Sequence, residues 1–275
     1  MLFNIHTHTE HSHDSDARVD DLCEQALKEG LSGFAVTDHC DSAWYYKPEA
    51  FTSLLDSWDD CQRAKALYGD RLVLACGVEI GEAISYRAFA KKVIAARPWD
   101  VVLGSVHAVR VKGWESPFSL LDFTDCDDTF IGMYLRQYFE DLREMAATED
   151  YDVLCHLTVP LRYVCGRYGK RAEIEAYYPQ IEEILRICIA RDKTFEINTS
   201  GCAPGKPHFI PHEAILDKYL AMGGRNLTIG SDAHVAERLT NGLDQAAEML
   251  RRKGVTELTY YLERQPVKYG IGSRQ

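Results

Sequence analysis

Seven short apolar runs, rich in β-branched residues, recur along the chain, each followed by polar residues and most by a longer amphipathic stretch. They are LFNI (2–5), GFAVT (33–37), LVLACGVE (72–79), VVLGSV (101–106), DVLCH (152–156), TFEIN (194–198) and NLTIGS (226–231). Runs of this length and content read as buried strands. Between them, RVDDLCEQALKEG (18–30) sets Val19, Leu22, Cys23, Ala26 and Leu27 on one helical face, with Gly30 as its stop signal. TFIGMYLRQYFEDLREMAAT (129–148) and IEEILRICIARDK (181–193) repeat that period. Strands alternating with helices build a parallel sheet. Periodicity alone is compatible with an open sheet or a barrel, and seven or eight such units in 275 residues fit the barrel better. With no low-complexity tract, linker or internal repeat to divide it, the chain reads as one domain over 1–275.

Composition narrows the function classes. At 46% hydrophobic and 27% charged residues, this is the make-up of an ordinary globular protein. No apolar run approaches the ~20 residues that span a bilayer, and the N-terminus lacks the basic flank and apolar stretch of a secretory signal. The expected location is therefore the cytoplasm. A formal charge of −11 disfavours a nucleic-acid partner, because it repels phosphate backbones over most of the surface. Nine cysteines without CxxC spacing read as reduced, mostly buried thiols rather than a disulfide framework.

The chemistry lies at the strand ends. Every run except the sixth ends on, or just before, a residue able to bind a metal ion: His6 and His8, then Asp38 and His39, Glu79, His107, His156, and finally Asp232 and His234. In a parallel barrel the carboxyl ends of the strands share one face, so residues far apart in sequence converge there. An isolated histidine at a strand end is usually just hydrogen-bonded; this many in register with the strands point to a metal cluster. Alternate side chains of an extended segment point the same way, so His6 and His8 can grip one ion. Asp14 lies close enough to curl toward a neighbouring ion. Imidazoles with a few carboxylates suit Zn²⁺, Mn²⁺ or Fe²⁺ better than Mg²⁺. His11 and His13 read as solvated loop residues.

These residues fall in blocks that resemble a known family. HTHTEHSHDS (6–15), AVTDHC (35–40), GVEI (77–80), GSVH (104–107), CHLTVP (155–160), INTSG (197–201) and GSDAH (230–234) are similar, in family order, to the polymerase-and-histidinol-phosphatase (PHP) metalloenzymes, and within them to the histidinol-phosphate phosphatases. The resemblance implies a distorted (β/α)7 TIM-like barrel with up to three divalent ions at the carboxyl ends of its strands. It implies that His6, His8, Glu79 and Asp232 hold one ion, that Glu79 bridges to a second held by His107 and His156, and that Asp14, His39 and His234 hold a third. Two departures stand out: some relatives have His in place of Asp14, and Thr158 replaces the carboxylate of the commoner His-Leu-Asp block. The implied reaction is hydrolysis of L-histidinol phosphate to L-histidinol and inorganic phosphate, a step of histidine biosynthesis.

Phosphate monoester hydrolysis is among the slowest uncatalysed reactions, and a pair of ions ~3.5–4 Å apart meets it by generating a shared hydroxide at neutral pH. The catalytic expectation therefore rests on Glu79 and Asp232, with Asp38 or His234 as proton donors to the leaving alkoxide; for Asp38, support of a neighbouring ligand is the competing role. Arg162 is the leading phosphate-binding cation, since a guanidinium pairs bidentately with phosphate. In the loop NTSGCAPGKPH (198–208), Ser200, Lys206 and His208 are further substrate-binding candidates, and Trp44 or Tyr45 offers a ring to stack on an imidazole. Three readings compete: a PHP phosphoesterase acting on nucleotides or nucleic acid, an amidohydrolase-type deaminase, and a non-catalytic metal-binding barrel.

Overall fold

The computed structural model describes residues 2–41 and 48–271. Seven strands lie side by side in sequence order, every neighbouring pair parallel: β1 (Phe3–Asn4), β2 (Gly33–Asp41), β3 (Val73–Gly81), β4 (Val101–Ser105), β5 (Val153–Leu154), β6 (Thr194–Asn198) and β7 (Leu227–Gly230). The first and last strands close the ring. Ile5 N donates to Ile229 O at 3.0 Å, Asp232 N to His6 O at 2.9 Å and His8 N to Ala233 O at 2.9 Å. Helices α1 (Val19–Glu29), α2 (Pro48–Tyr68), α3 (Arg87–Ala96), α4 (Asp128–Thr148), α5 (Tyr178–Ala190), α6 (Glu213–Ala221) and α7 (Leu243–Arg252) alternate with the strands, completing a distorted TIM-like barrel. Among the described residues no helix is long and apolar enough to cross a membrane.

Local physics accounts for these elements. Each strand is sandwiched between the barrel interior and the helical layer, so both faces exclude water and all nine residues of β2 are buried. Helix α1 carries Asp20 and Asp21 in its first turn, where they complement the helix dipole, and stops at Gly30, whose φ of 67° closes the carboxyl end. Asp127 caps α4 by accepting from Phe130 N at 2.7 Å. All nine cysteines are free thiols, and seven are buried.

Two differences from expectation stand out. Strand β2 runs on through polar residues to Asp41 and β3 through Ile80 to Gly81, because both segments are buried at the barrel mouth and stay paired, His39 opposite Glu79. The second difference is a hairpin, β8 (Glu257–Leu262) and β9 (Gln265–Gly270), for which the sequence offers no turn signal. Its two turn residues, Glu263 and Arg264, have φ of 52° and 62°, positions that Asn and Gly normally fill. The conformation is held from outside: Asp100 accepts from both turn amides, Glu263 N on Oδ1 at 2.9 Å and Arg264 N on its carbonyl at 2.8 Å. The hairpin covers the amino-terminal mouth of the barrel, with Tyr260 stacked on Phe3 and Tyr261 Oη 2.8 Å from Thr194 Oγ1.

Asp100 is thus the rivet between barrel and hairpin, and its Oδ2 also accepts from Cys76 N at 2.8 Å and Lys65 Nζ at 2.6 Å. Asp100→Ala strands these donors and is expected to cost about 2–3 kcal/mol. Urea unfolding should show a lower midpoint; a midpoint within error of the parent contradicts this role.

Candidate metal centre

The carboxyl ends of the strands deliver six histidines and three carboxylates to one mouth. At the centre is Glu79, fully buried on β3, and its two oxygens face different groups of rings. Oε1 is 2.8 Å from His156 Nε2 and 3.2 Å from His107 Nε2. Oε2 is 2.8 Å from His39 Nδ1, 3.4 Å from His6 Nε2 and 3.8 Å from His8 Nε2. Asp232 Oδ1 lies 3.2 Å from His8 Nε2 and 3.8 Å from His6 Nε2. Asp14 closes the outer side, with Oδ2 3.3 Å from His234 Nε2 and Oδ1 3.7 Å from His39 Nε2.

An outer set of groups fixes how the rings face. His6 Nδ1 is 2.8 Å from Glu196 Oε1, and the other Glu196 oxygen accepts from His156 N at 2.7 Å. Only glycine at 230 allows this, since a Cβ there would sit 2.2 Å from Glu196 Oε1 and 2.6 Å from His6 Cβ. His107 Nδ1 is 2.7 Å from Asp41 Oδ1, while Glu82 Oε1 accepts from the backbone N–H groups of His107 and Ala108 at 2.6 and 2.8 Å. His8 Nδ1 lies 3.2 Å from Ser12 Oγ, which donates to Asp38 Oδ1 at 2.7 Å. His234 Nδ1 is 3.0 Å from Asp232 O. Each acceptor draws the ring proton to Nδ1 and leaves the Nε2 lone pair directed at the carboxylates. His156, Asp232 and Glu82 have φ of 22°, 53° and 50°, a region costly for non-glycine residues. The bonds from His156 N to Glu196 and from Asp232 N to His6 O hold two of these.

This donor set fits divalent cations. His6 Nε2, His8 Nε2, His39 Nδ1 and Glu79 Oε2 are all buried without a hydrogen-bond partner. Lone pairs facing a carboxylate repel one another unless a positive charge lies between them. The 3.2–3.8 Å separations of His6 and His8 from Glu79 and Asp232 bracket the roughly 3.3 Å expected for two tetrahedral ligands at ~2.0 Å from one ion. Ligand-type atoms lie within 4.8 Å of one another in several groups of three, among them His6, His8 and Asp232; His39, Glu79 and His107; and His8, His39 and His234. The electrostatics agree. Burial opposes charge on His6, His39 and His107, yet the carboxylates around them override it and raise all three pKa values, His39 to about 9. Glu79 is held well below the usual carboxylate range despite its burial, by His107, His6 and His39.

Above the cage opens a cavity of about 370 Å³. Arg162 and Ser200 line it, with Nη1 of the arginine donating to the serine Oγ at 3.0 Å. Other expectations need correcting. Asp38 does not line the cavity: it is fully buried and saturated by Thr9 N at 2.6 Å and the hydroxyls of Thr9, Ser12 and Ser57, which makes it a brace for the His8 segment and not a proton donor. Lys206 and His208 are exposed and absent from the cavity wall, because a turn pairing Ala203 with Lys206 carries them away and the His208 ring lies against Gly201. Trp44 and Tyr45 fall outside the described residues. His11 pairs with Asp60 at 2.9 Å, and His13 is exposed at the edge of the cavity.

Sequence reading passed over Glu196, Asp41, Ser12, Glu82 and Arg238, the last on the cavity wall. For Glu196 a signal existed: an acidic residue inside the apolar run TFEIN. Asp41 sits two residues after His39, on the same face of β2.

Comparisons with known proteins agree with this architecture. A protein of Thermotoga maritima named "Probable histidinol-phosphatase" is 27% identical over 258 residues, 91% of this chain and 92% of that protein. The histidinol-phosphatase of Lactococcus lactis subsp. lactis is 24% identical, over 94% of this chain and 93% of its own. In fold, the chain is similar to the crystal structure of a Lactococcus lactis histidinol phosphate phosphatase complexed with zinc, L-histidinol and phosphate: TM-score 0.80 at 21% identity, covering 97% of this chain and 98% of that one. The PHP domain profile matches residues 4–200, from β1 through the loop after β6, leaving Asp232 and His234 beyond it. With more than half of its length matched, the chain belongs to the PHP domain family.

Proposed function

We propose that this chain is a metal-dependent phosphatase that hydrolyses L-histidinol phosphate to L-histidinol and inorganic phosphate. The observation that carries the reading is Glu79, whose two oxygens divide five imidazoles into two groups around one carboxylate. Relatives named for this activity cover most of their own length and of this chain. In our assignment His6, His8, Glu79 and Asp232 hold one ion, Glu79, His107 and His156 a second, and Asp14, His39 and His234 a third. The ligand chemistry admits Zn²⁺, Mn²⁺ or Fe²⁺. When bound, such ions lower the pKa of coordinated water and neutralise charge on phosphoryl oxygens.

The chain's own groups do the rest. Glu196, Asp41 and Ser12 anchor Nδ1 of His6, His107 and His8 and so aim their Nε2 atoms inward, where a bound cation would take the place of a proton. Arg162, steadied by Ser200, presents its remaining N–H donors to the phosphate from the cavity wall. Phe118 and Tyr163 line the same cavity with ring centroids 5.1 Å apart and offer apolar surface to the imidazole of the substrate. His234 Nε2 faces Asp14 and the cavity. That atom either holds the third ion or passes a proton to the departing alkoxide, so occupancy of the third site decides its role.

The metal-loaded protein should turn over histidinol phosphate with a higher kcat/KM than p-nitrophenyl phosphate, nucleoside monophosphates or single-stranded DNA. Equal, slow turnover of all four contradicts the substrate assignment and favours a generic phosphoesterase. Glu79→Gln should keep the fold, lose bound metal by elemental analysis and lose activity by about a thousandfold or more. A metal-replete, active Glu79→Gln protein refutes the bridging role.

A further inference from the structure

We propose that Arg238 joins Arg162 in a two-guanidinium clamp, built on Ser200, that binds the dianionic end of a phosphate monoester and selects monoesters over diesters. The inference rests on the phosphatase reading for the nature of the ligand. The two arginines come from separate loops. Arg162 opens the π-helical turn Arg162–Arg167 after β5, and Arg238 ends the 3₁₀ turn Ala236–Arg238 after β7. They meet at one residue: Arg162 Nη1 donates to Ser200 Oγ at 3.0 Å, and Arg238 Nη2 donates to Ser200 O at 3.1 Å. Both line the cavity over the cage.

Three features give the pair the properties of a binding site. First, neither guanidinium forms an ion pair with a carboxylate among the described residues, although the chain carries a net charge of −11 and Asp14, Asp41 and Asp232 line the same cavity. Each spends one N–H on Ser200 and keeps the rest of its fork available. Second, the loop bearing Arg238 is fastened to the loop bearing Ser200. Asn241 Nδ2 donates to Thr199 O at 3.1 Å and Cys202 O at 3.2 Å, and Leu239 is fully buried. The loops pack so closely at Gly242, φ 71°, that a Cβ there would fall 2.7 Å from Cys202 Cβ and 2.8 Å from Thr199 Cβ. Third, Ser200 is linked to the cage: its Oγ donates to Asn198 Oδ1 at 2.7 Å, and Asn198 Nδ2 donates to Asp232 Oδ2 at 3.4 Å. The forks are therefore pre-set relative to the ions' ligands, which spares ordering entropy on binding.

The chemical consequence follows from charge and oxygen count. A monoester dianion presents three non-bridging oxygens and two charges; a diester presents two oxygens and one charge. Cations in the cage attract either. A pair of planar forks beyond them adds most to the ligand that still has an oxygen and a charge to offer.

The test uses the metal-loaded enzyme and compares wild type with Arg238→Ala, Arg238→Lys and Arg162→Ala. Substrates are histidinol phosphate, p-nitrophenyl phosphate and the diester bis(p-nitrophenyl) phosphate, and inorganic phosphate is titrated by calorimetry. Arg238→Ala should weaken inorganic phosphate and raise monoester KM by about 10- to 100-fold, with a smaller change in kcat. The monoester-to-diester ratio of kcat/KM should fall at least tenfold, and Arg238→Lys, which keeps charge without the fork, should recover part of it. An unchanged phosphate affinity and ratio in a variant with the parental melting temperature overturns the clamp; Arg238→Gln serves if the alanine variant is unstable. A wild type that prefers no substrate over p-nitrophenyl phosphate overturns the histidinol-phosphate reading alone. Even a wild type inactive on every ester leaves the phosphate titration to decide for or against Arg238.

Discussion

A carboxylate without solvent, surrounded by imidazoles, is the constraint to which the rest of this molecule answers. Taking Glu79 out of water costs several kcal/mol unless positive charge is supplied next to it, and among the described residues no lysine or arginine pairs with it. The rings cannot all do so by protonation, since like charges a few ångströms apart disfavour one another; burial together with the neighbouring His39 and His234 pushes His8 down to about 3. Divalent cations would resolve the conflict between too many buried negative charges and too few protons.

Gathering such a set of ligands demands a fold that points many chain segments at one spot. A parallel barrel does this by construction, because each strand contributes its carboxyl end to the same rim. The side chains one layer out then set the protonation of the rings, so the tautomer of His6 is a property of β6 and that of His107 a property of β2. The cost appears in the backbone, where Glu82, His156 and Asp232 occupy left-handed conformations at the very positions where the ladder gives way to the site.

How much of this could be read from residues alone follows from how each one is used. The seven strands were legible because both faces of each are buried, which makes VVLG and the VLC of DVLCH unbroken by any charge. The convergence of the histidines was legible because they recur at the ends of strands that share one rim. Glu196 was hidden by its place inside a strand, where its carboxylate works sideways across Gly230 rather than beyond the strand end. Arg238 left no mark, since a charged residue in a short turn has no period to betray it. Lys206 and His208 misled in the other direction: closeness in sequence to Ser200 does not survive the reversal at Ala203–Lys206. The hairpin went unseen because Glu263 and Arg264 stand where a turn ordinarily shows glycine or asparagine.

Closure of the ring between β1 and β7 has a kinetic consequence. His6 and His8 lie far from Asp232 in sequence, and the backbone bonds of Ile5 and Asp232 across the seam make them neighbours. Contacts of such sequence separation form slowly. A cation held jointly by His6, His8 and Asp232 would favour the closed ring over the open one, so its binding energy would add to the stability of the seam.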